Sequence, residues 1–228
     1  AQAVVGLDDD RDQPTGEIRI STSRLAAHQF IEPHLGEFHR RYPKVRLELV
    51  IDDGLGDIIR EGCDAGVRLR EAVADSMIAV PISPPMRLVV VGSPAYLAAH
   101  PRPARPEDLR DHANIRDSNA QNPGRAVFLV DGKAVSVPLP GRITVNSAQA
   151  VRHLVLEGEG IAMIPSFVVA RDLAEGRLER LLPDFLRPQL DIQALYLPQP
   201  FMPPRLTAYL DHLRMALSPL LKAPRPDS

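Results

Sequence analysis

Side chains that could carry catalytic or metal chemistry are few in this chain of 228 residues. The chain has seven histidines and a single cysteine, Cys63. No two histidines have the i, i+4 spacing that places two zinc ligands on one face of a helix. Surface or hydrogen-bonded histidines are the simpler interpretation, so we expect no metal site and no cofactor.

Nucleotide and nucleophile motifs are also absent from the sequence. Gly54-Leu55-Gly56 begins like a dinucleotide-binding fingerprint, but Ile59 stands where its third glycine would be needed. There is no Gly-x-Ser-x-Gly elbow and no phosphate-binding loop that ends in Lys-Ser or Lys-Thr. These observations predict that the protein is not an enzyme.

Polar side chains follow three of the predicted strands. Ser21-Thr22-Ser23 follows an alternating strand at 17–20, Asp117-Ser118 follows a short strand at Ile115, and Asn146-Ser147 follows a strand at 142–145. Open α/β sheets bind ligands at the carboxyl ends of their strands, so these residues are candidate ligand contacts. The alternative is that their hydroxyl and amide groups only cap the following helices.

Two further residues join this candidate set. Arg68 lies near the carboxyl end of a predicted strand at 65–69, where it could neutralise an acidic ligand or form a salt bridge. Ser93 follows the apolar strand 88–91, precedes Pro94, and is predicted to cap a helix. Both alternatives for Arg68 stay open.

Hydropathy patterns predict an α/β fold. Strands at 17–20, 45–51 and 65–69 alternate with helical segments, including 33–42 and a short helix at 55–59, which implies parallel pairing. Asp131-Gly132 between two strands predicts a tight hairpin. A final helix is expected from Pro204 to Leu217, ended by Pro219.

Charge and composition narrow the class of partner. The formal net charge of -2 gives no basic surface for binding a polyanion. No apolar run is long enough for a membrane helix, and Asp8-Asp9-Asp10 is unlike a secretory signal. An unpaired cysteine suits a reducing compartment, so the expected location is the cytoplasm.

An ordered set of motifs resembles the effector-binding region of the bacterial LysR-type transcriptional regulators, from Gly16 to about Leu221. Each motif alone is weak, whereas the ordered set is specific. The motifs are Gly16-x-Ile18-Arg19-Ile20-Ser21, Pro33-x-Leu35-x-x-Phe38, Tyr42-Pro43-x-Val45, Gly62-x-Asp64-Ala65-Gly66-Val67-Arg68, Ser93-Pro94-x-Tyr96-Leu97, Pro106-x-Asp108-Leu109 with His112, Gly158-x-Gly160 continuing to Pro165, and Gly176-Arg177-Leu178.

The resemblance implies two Rossmann-like lobes joined by two crossover strands, as in type 2 periplasmic binding proteins. Lobe I would comprise 16–92 and 194–222, and lobe II 93–193. Residues 1–15 would be the tail of a linker from a winged helix-turn-helix that is not part of this sequence, and 223–228 a C-terminal tail. DNA would be bound only through that N-terminal part.

The family also implies the ligand and the assembly. A small effector would lie between the lobes, against the candidate residues Ser21, Thr22, Ser23, Arg68, Ser93, Asp117, Ser118, Asn146 and Ser147. Helix N-termini after Ser23 and Ser147 favour an anionic effector, whereas Asp117 could select a hydroxyl or amine. Helix 33–41 of one subunit would lie near helix 149–156 of another in a homodimer, with a tetramer as the alternative for a full-length protein.

Two other functions share the expected architecture. A solute-binding protein of a transporter would have the same two lobes, but it would require export. An enzyme on the same scaffold is the third alternative. We expect a ligand-sensing regulatory domain.

Overall fold

The computed structural model describes residues 13–53, 62–69, 77–82, 86–120, 122–185, 188–190, 192–196 and 202–222. Its chain divides into two compact units. Unit 1 comprises Ala1–Pro84 and Asp191–Ser228, and unit 2 comprises Pro85–Leu190. Three predicted segments lie outside the described residues: the helix at 55–59, residues 1–12 of the linker tail, and the C-terminal tail 223–228.

Unit 1 is built on a five-stranded mixed sheet with the order β2-β1-β3-β13-β4. Its strands are β1 (Gly16–Thr22), β2 (Val45–Ile51), β3 (Ala65–Leu69), β4 (Ile78–Pro81) and β13 (Ile192–Tyr196). The predicted parallel pairing is confirmed, since β1 runs parallel to both β2 and β3. The returning strand β13 runs antiparallel to β3 and β4.

Helices of unit 1 cover this sheet through an apolar stripe. A helical run consists of α1 (Arg24–Ala26), a π-helical turn (Ala27–Ile31) and α2 (Glu32–Arg41). The C-terminal helix α6 (Pro204–Lys222) buries the four predicted leucines, Leu206, Leu210, Leu213 and Leu217. Phe38 of α2 meets Tyr209 of α6 edge-on, with ring centroids 5.4 Å apart.

Unit 2 contains the remaining strands. They are β5 (Met86–Gly92), β6 (Ile115–Asp117), β7 (Arg125–Val130), β8 (Lys133–Pro138), β9 (Ile143–Val145), β10 (Ile161–Pro165), β11 (Glu179–Leu181) and β12 (Pro188–Leu190). Strand β5 pairs antiparallel with β10, β11 and β12, whereas β6 and β9 are parallel. The predicted hairpin is confirmed: β7 and β8 meet at Asp131 (φ 49°) and Gly132 (φ 74°).

The α-helices of unit 2 begin at hydroxyl caps or follow a short 3₁₀ turn. They are α3 (Pro94–Ala99), α4 (Ala148–Leu156) and α5 (Ala170–Ala174), with 3₁₀ helices at Pro106–Asp111, Ser166–Val168 and Pro183–Phe185. Ser93 and Ser147 are the N-caps of α3 and α4, as predicted. Among the described residues, no helix is long and apolar enough to cross a bilayer.

Several boundaries differ from the sequence-based expectation. Strand β5 was expected in lobe I, but its three partner strands all belong to unit 2. Helix α6 was expected to end before Pro219, yet it continues to Lys222. Strands β11 and β12 were missed because their sequences, Glu-Arg-Leu and Pro-Gln-Leu, show no apolar run or alternation.

Candidate functional site

In unit 1 the predicted residues meet at the carboxyl ends of β1 and β3. The guanidinium of Arg68 donates from Nη2 to Oγ of Ser21 at 2.7 Å and from Nη1 to the carbonyl oxygen of Asp52. The Thr22 hydroxyl donates to the carbonyl oxygen of Val67 at 3.0 Å. Ser21 and Thr22 are fully buried, so their hydroxyls hold β3 and Arg68 in place.

Arg68 places a positive charge at this edge of the sheet. Its side chain is buried, and a guanidinium carries a positive charge. Among the described residues, no carboxylate forms an ion pair with it, and the oxygens that it contacts are neutral.

Ser23 caps the helical run that follows β1, and Asp53 assists it. The Oγ of Ser23 accepts the N–H of Ala26 at 3.3 Å, while Oδ1 of Asp53 accepts the N–H of Arg24 at 2.8 Å. The chain therefore uses for itself two of the backbone donors that were expected to attract an anionic effector. Asp53 was missed, and its position two residues after β2 was the only available signal.

In unit 2 four of the predicted residues come together, because β6 and β9 are parallel and end side by side. Oδ1 of Asp117 accepts the N–H of Asn119 at 2.9 Å, and the hydroxyl of Ser118 donates to the Val145 carbonyl at 3.3 Å. Ser147 Oγ accepts the Ala150 N–H at 3.4 Å. The link between the two loops is a hydrogen bond at 2.9 Å from Nδ2 of Asn119 to the carbonyl of Asn146.

Asn119 was missed by the sequence reasoning, although it lies in the same polar loop as Asp117 and Ser118. Asn146 and Ser118 are exposed, and Asn119 is half-buried. Asn146 therefore offers its side chain to solvent at the end of β9. This loop pair can donate and accept hydrogen bonds, and Asp117 gives it a carboxylate.

Ser93 does not join this group. Strand β5 runs antiparallel to β10, with Gly92 opposite Ile161 at the beginning of β10. Residue Asn114, just before β6, forms a parallel bridge with the same Ile161. The carboxyl end of β5 therefore lies beside the amino end of β6, opposite to the end that carries Asp117, and Ser93 is a buried N-cap whose Oγ accepts the Tyr96 N–H.

A buried ion-pair cluster anchors α4 in unit 2. The carboxylate of Asp172 is fully buried and receives hydrogen bonds from Arg152 of α4 (Nη2 to Oδ1, 2.7 Å) and from Arg177 (Nη2 to Oδ1, 2.7 Å). The hydrogen bonds from Arg152, reinforced by those from Arg177, hold the pKa of Asp172 below its usual value against the opposing effect of burial. The cluster fixes the helix that Ser147 caps.

In the described parts of the chain, no group of three or more histidine, cysteine, aspartate or glutamate side chains is arranged to hold a metal ion. The expectation of no metal or cofactor stays a prediction.

Comparison with known proteins identifies the family. The sequence pattern of the LysR substrate binding domain matches residues 11–218. The chain belongs to the LysR substrate-binding domain family. The transcriptional regulator PtxR of Pseudomonas aeruginosa is 35% identical to it over 215 residues, which cover 91% of this chain and 67% of PtxR.

Solved structures of LysR-type regulators show which part of such a protein this LysR substrate-binding domain resembles. The regulatory domain of CrgA from Neisseria meningitidis is matched over 100% of its length and 90% of this chain, with 27% identity and a TM-score of 0.76. Full-length AphB of Vibrio cholerae, a LysR-family virulence activator, is matched over 69% of its length and 89% of this chain, with 25% identity and a TM-score of 0.77. The similarity thus covers a whole regulatory domain.

The family confirms the predicted fold class and main function. The chain is an effector-binding domain of the LysR type, with the α/β architecture of type 2 periplasmic binding proteins. The named relatives are transcriptional regulators. The comparisons do not support the alternative of a transporter's solute-binding protein.

Proposed function

We propose that this domain senses a small organic anion and that Arg68 is its principal anion contact. The observation that carries the proposal is the buried guanidinium at the carboxyl edge of the unit 1 sheet, bound by neutral oxygens of Ser21 and Asp52. A carboxylate that reached Arg68 could form charge-assisted, bidentate hydrogen bonds. Regulatory domains of this family bind small-molecule effectors, which supports a ligand role for this edge.

The loop pair of unit 2 is proposed as a second candidate effector contact. It supplies the exposed side chains of Asn146 and Ser118, together with the first turn of α4. Helix α4 has nine residues, and its positive end favours negative charge. Asp117 opposes a simple anion there, so this loop pair favours a ligand hydroxyl or amine.

Response to the effector is proposed to pass to a DNA-binding part of the regulator and so to alter transcription. The proposal is supported by the full-length relatives, of which this chain matches about two thirds. We further propose cytoplasmic location, no catalytic activity and no cofactor. Self-association through α2 and α4 is proposed as well.

The anion proposal is tested by a thermal-shift screen of small carboxylates. A ligand that binds only the folded state raises the melting temperature. At a ligand concentration about one hundred times its Kd, it adds about 2.7 kcal/mol to the free energy of unfolding. We expect a carboxylate that stabilises the parent to give no shift with Arg68→Met. The matched control, Arg116→Met, removes an arginine that contacts Thr144 in unit 2 and should keep the shift.

Two results would contradict this assignment. No stabilisation of the parent by any small carboxylate would remove the anion role. Equal shifts in the parent and in folded Arg68→Met would show that the anion binds elsewhere. Two further variants, Ser147→Ala and Ser23→Ala, test whether the cap residues contact the ligand. Each loses about 1 kcal/mol of stability with its cap, so only the ligand-induced shift in melting temperature is compared.

A further inference from the structure

Asp53 and Arg68 place opposite charges at one edge of the unit 1 sheet. Nη1 of Arg68 donates to the carbonyl oxygen of Asp52, and that carbonyl carbon is bonded to the amide nitrogen of Asp53. The guanidinium thus contacts the residue next to the carboxylate. Any ligand that reached Arg68 would meet the field of Asp53 too.

The carboxylate of Asp53 is held in a fixed position. Its Oδ1 accepts the N–H of Arg24 at 2.8 Å, and its Oδ2 lies 3.3 Å from Nε of Arg24. The Asp53 side chain is only 15% exposed, whereas the Arg24 side chain is 69% exposed. A carboxylate has about four acceptor positions, and the contacts of Asp53 with described residues, both to Arg24, occupy two of them.

A fixed carboxylate at the same sheet edge as the Arg68 guanidinium would discriminate between kinds of anion. It repels a plain carboxylate, but it accepts a hydrogen bond from a hydroxyl and a charge-assisted one from an ammonium group. We propose that Asp53 is a specificity-determining residue that selects effectors with an amino or hydroxyl group on the carbon next to their carboxylate. This inference rests on the proposed anion role of Arg68.

The competing explanation is that Asp53 only caps the helical run at Arg24. A cap contributes stability to the folded protein, but it does not distinguish ligands that differ in one substituent. Asp53→Asn separates the two explanations, because asparagine has the same shape and keeps an oxygen acceptor for the Arg24 N–H while it loses the charge.

The test uses propionate, lactate and alanine, which share one carbon skeleton and carry a hydrogen, a hydroxyl or an ammonium group on C2. Affinities of the 228-residue chain are measured by chemical-shift titration. The parent should bind alanine at least about tenfold more tightly than propionate, with lactate between them. In Asp53→Asn the alanine preference should fall to within about twofold, and propionate should bind no more weakly than before.

A matched control removes the same charge elsewhere. Asp131→Asn lies in the exposed hairpin turn of unit 2, where asparagine suits the positive φ, and it should keep the alanine preference of the parent. Thermal unfolding checks that both variants fold.

The outcomes separate this inference from the proposal beneath it. If the parent binds all three compounds equally, or if Asp53→Asn weakens all three equally, Asp53 is only a structural cap and the selectivity claim is overturned. If none of the three binds the parent, neither the anion role of Arg68 nor the selectivity of Asp53 stands for this class of compound.

Discussion

The phenol oxygen of Tyr96 lies 3.3 Å from Nδ1 of His112, and both side chains are buried in unit 2. The same oxygen accepts the N–H of Ala113 at 3.1 Å, and the His100 ring stacks on Tyr96 with centroids 4.0 Å apart. A neutral imidazole can accept the phenol hydrogen at Nδ1, whereas an imidazolium cannot. Burial, followed by repulsion from His100, lowers the pKa of His112.

Unit 2 should therefore lose stability as the pH falls below about 6.5, the ordinary pKa of histidine. In that range the unfolded chain binds a proton at His112 that the folded chain resists, so the free energy of unfolding decreases with decreasing pH. Urea unfolding between pH 7.5 and 5.5 measures the slope. His112→Gln should flatten it, while His153→Gln, at an exposed position on α4, should not. Identical slopes in all three proteins would contradict the assignment.

Removal of the buried charge of Asp172 should destabilise unit 2. Asp172→Asn leaves Arg152 and Arg177 without their shared carboxylate, at a cost of about 3 kcal/mol in the free energy of unfolding. The lowered pKa of Asp172 means that its contribution is present above about pH 3.8 and is lost as the pH falls through the folded pKa. The destabilisation should therefore shrink in acid. Glu179→Gln, which loses the surface ion pair with Arg102 in the same unit, should cost less than about 1 kcal/mol.

A side chain at Gly141 should displace the backbone just before β6. A Cβ at this position would overlap the carbonyl oxygen of Asn114, which belongs to the backbone and cannot move aside. We expect Gly141→Ala to lower the free energy of unfolding by about 3 kcal/mol. Gly124→Ala is the control, since nothing lies within 4 Å of its added Cβ. Equal midpoints of urea unfolding for the two variants would contradict this packing.

This chain by itself should have no specific affinity for duplex DNA at physiological salt. Specific and non-specific DNA binding both gain from counterions released when lysines and arginines neutralise phosphates. The net charge of -2 gives this chain little such gain. Fluorescence anisotropy with labelled duplexes at about 150 mM salt is the measurement. A regulator with a basic recognition helix serves as the positive control, and sub-micromolar binding by this chain would refute the prediction.

Self-association should be detectable at tens of micromolar, an order expected for an interface of standard size. Leu35 of α2 and Leu154 of α4 are apolar side chains left half-buried within one copy, which suits contact with a second copy. Arg40→Glu, exposed on α2, should weaken the dimer about tenfold, whereas Lys133→Glu in the hairpin should not. Sedimentation equilibrium that shows only monomer would count against the dimer.

Local signals predicted most elements of the fold, whereas contacts between distant segments were not accessible to sequence reasoning. Asp131-Gly132 predicted its hairpin because two adjacent residues determine the turn. The hydrogen bond from the Arg24 N–H to Asp53 joins residues 29 positions apart, and no local sequence pattern predicts it. Ser93 illustrates the same limit. The local sequence predicted that it caps a helix. Its separation from Asp117 follows from the antiparallel pairing of β5 with β10, which joins segments distant in the sequence.

Strand β13 lies between β3 and β4, although about 110 residues separate it from β4 along the chain. During synthesis the ribosome delivers β1 to β4 first, yet their sheet lacks an interior strand until residue 196 has left the exit tunnel. Unit 2 is continuous in sequence and needs no later segment to complete its pairing. We expect nascent chains to acquire protease resistance first in unit 2, and unit 1 to remain a client for chaperones until β13 has emerged.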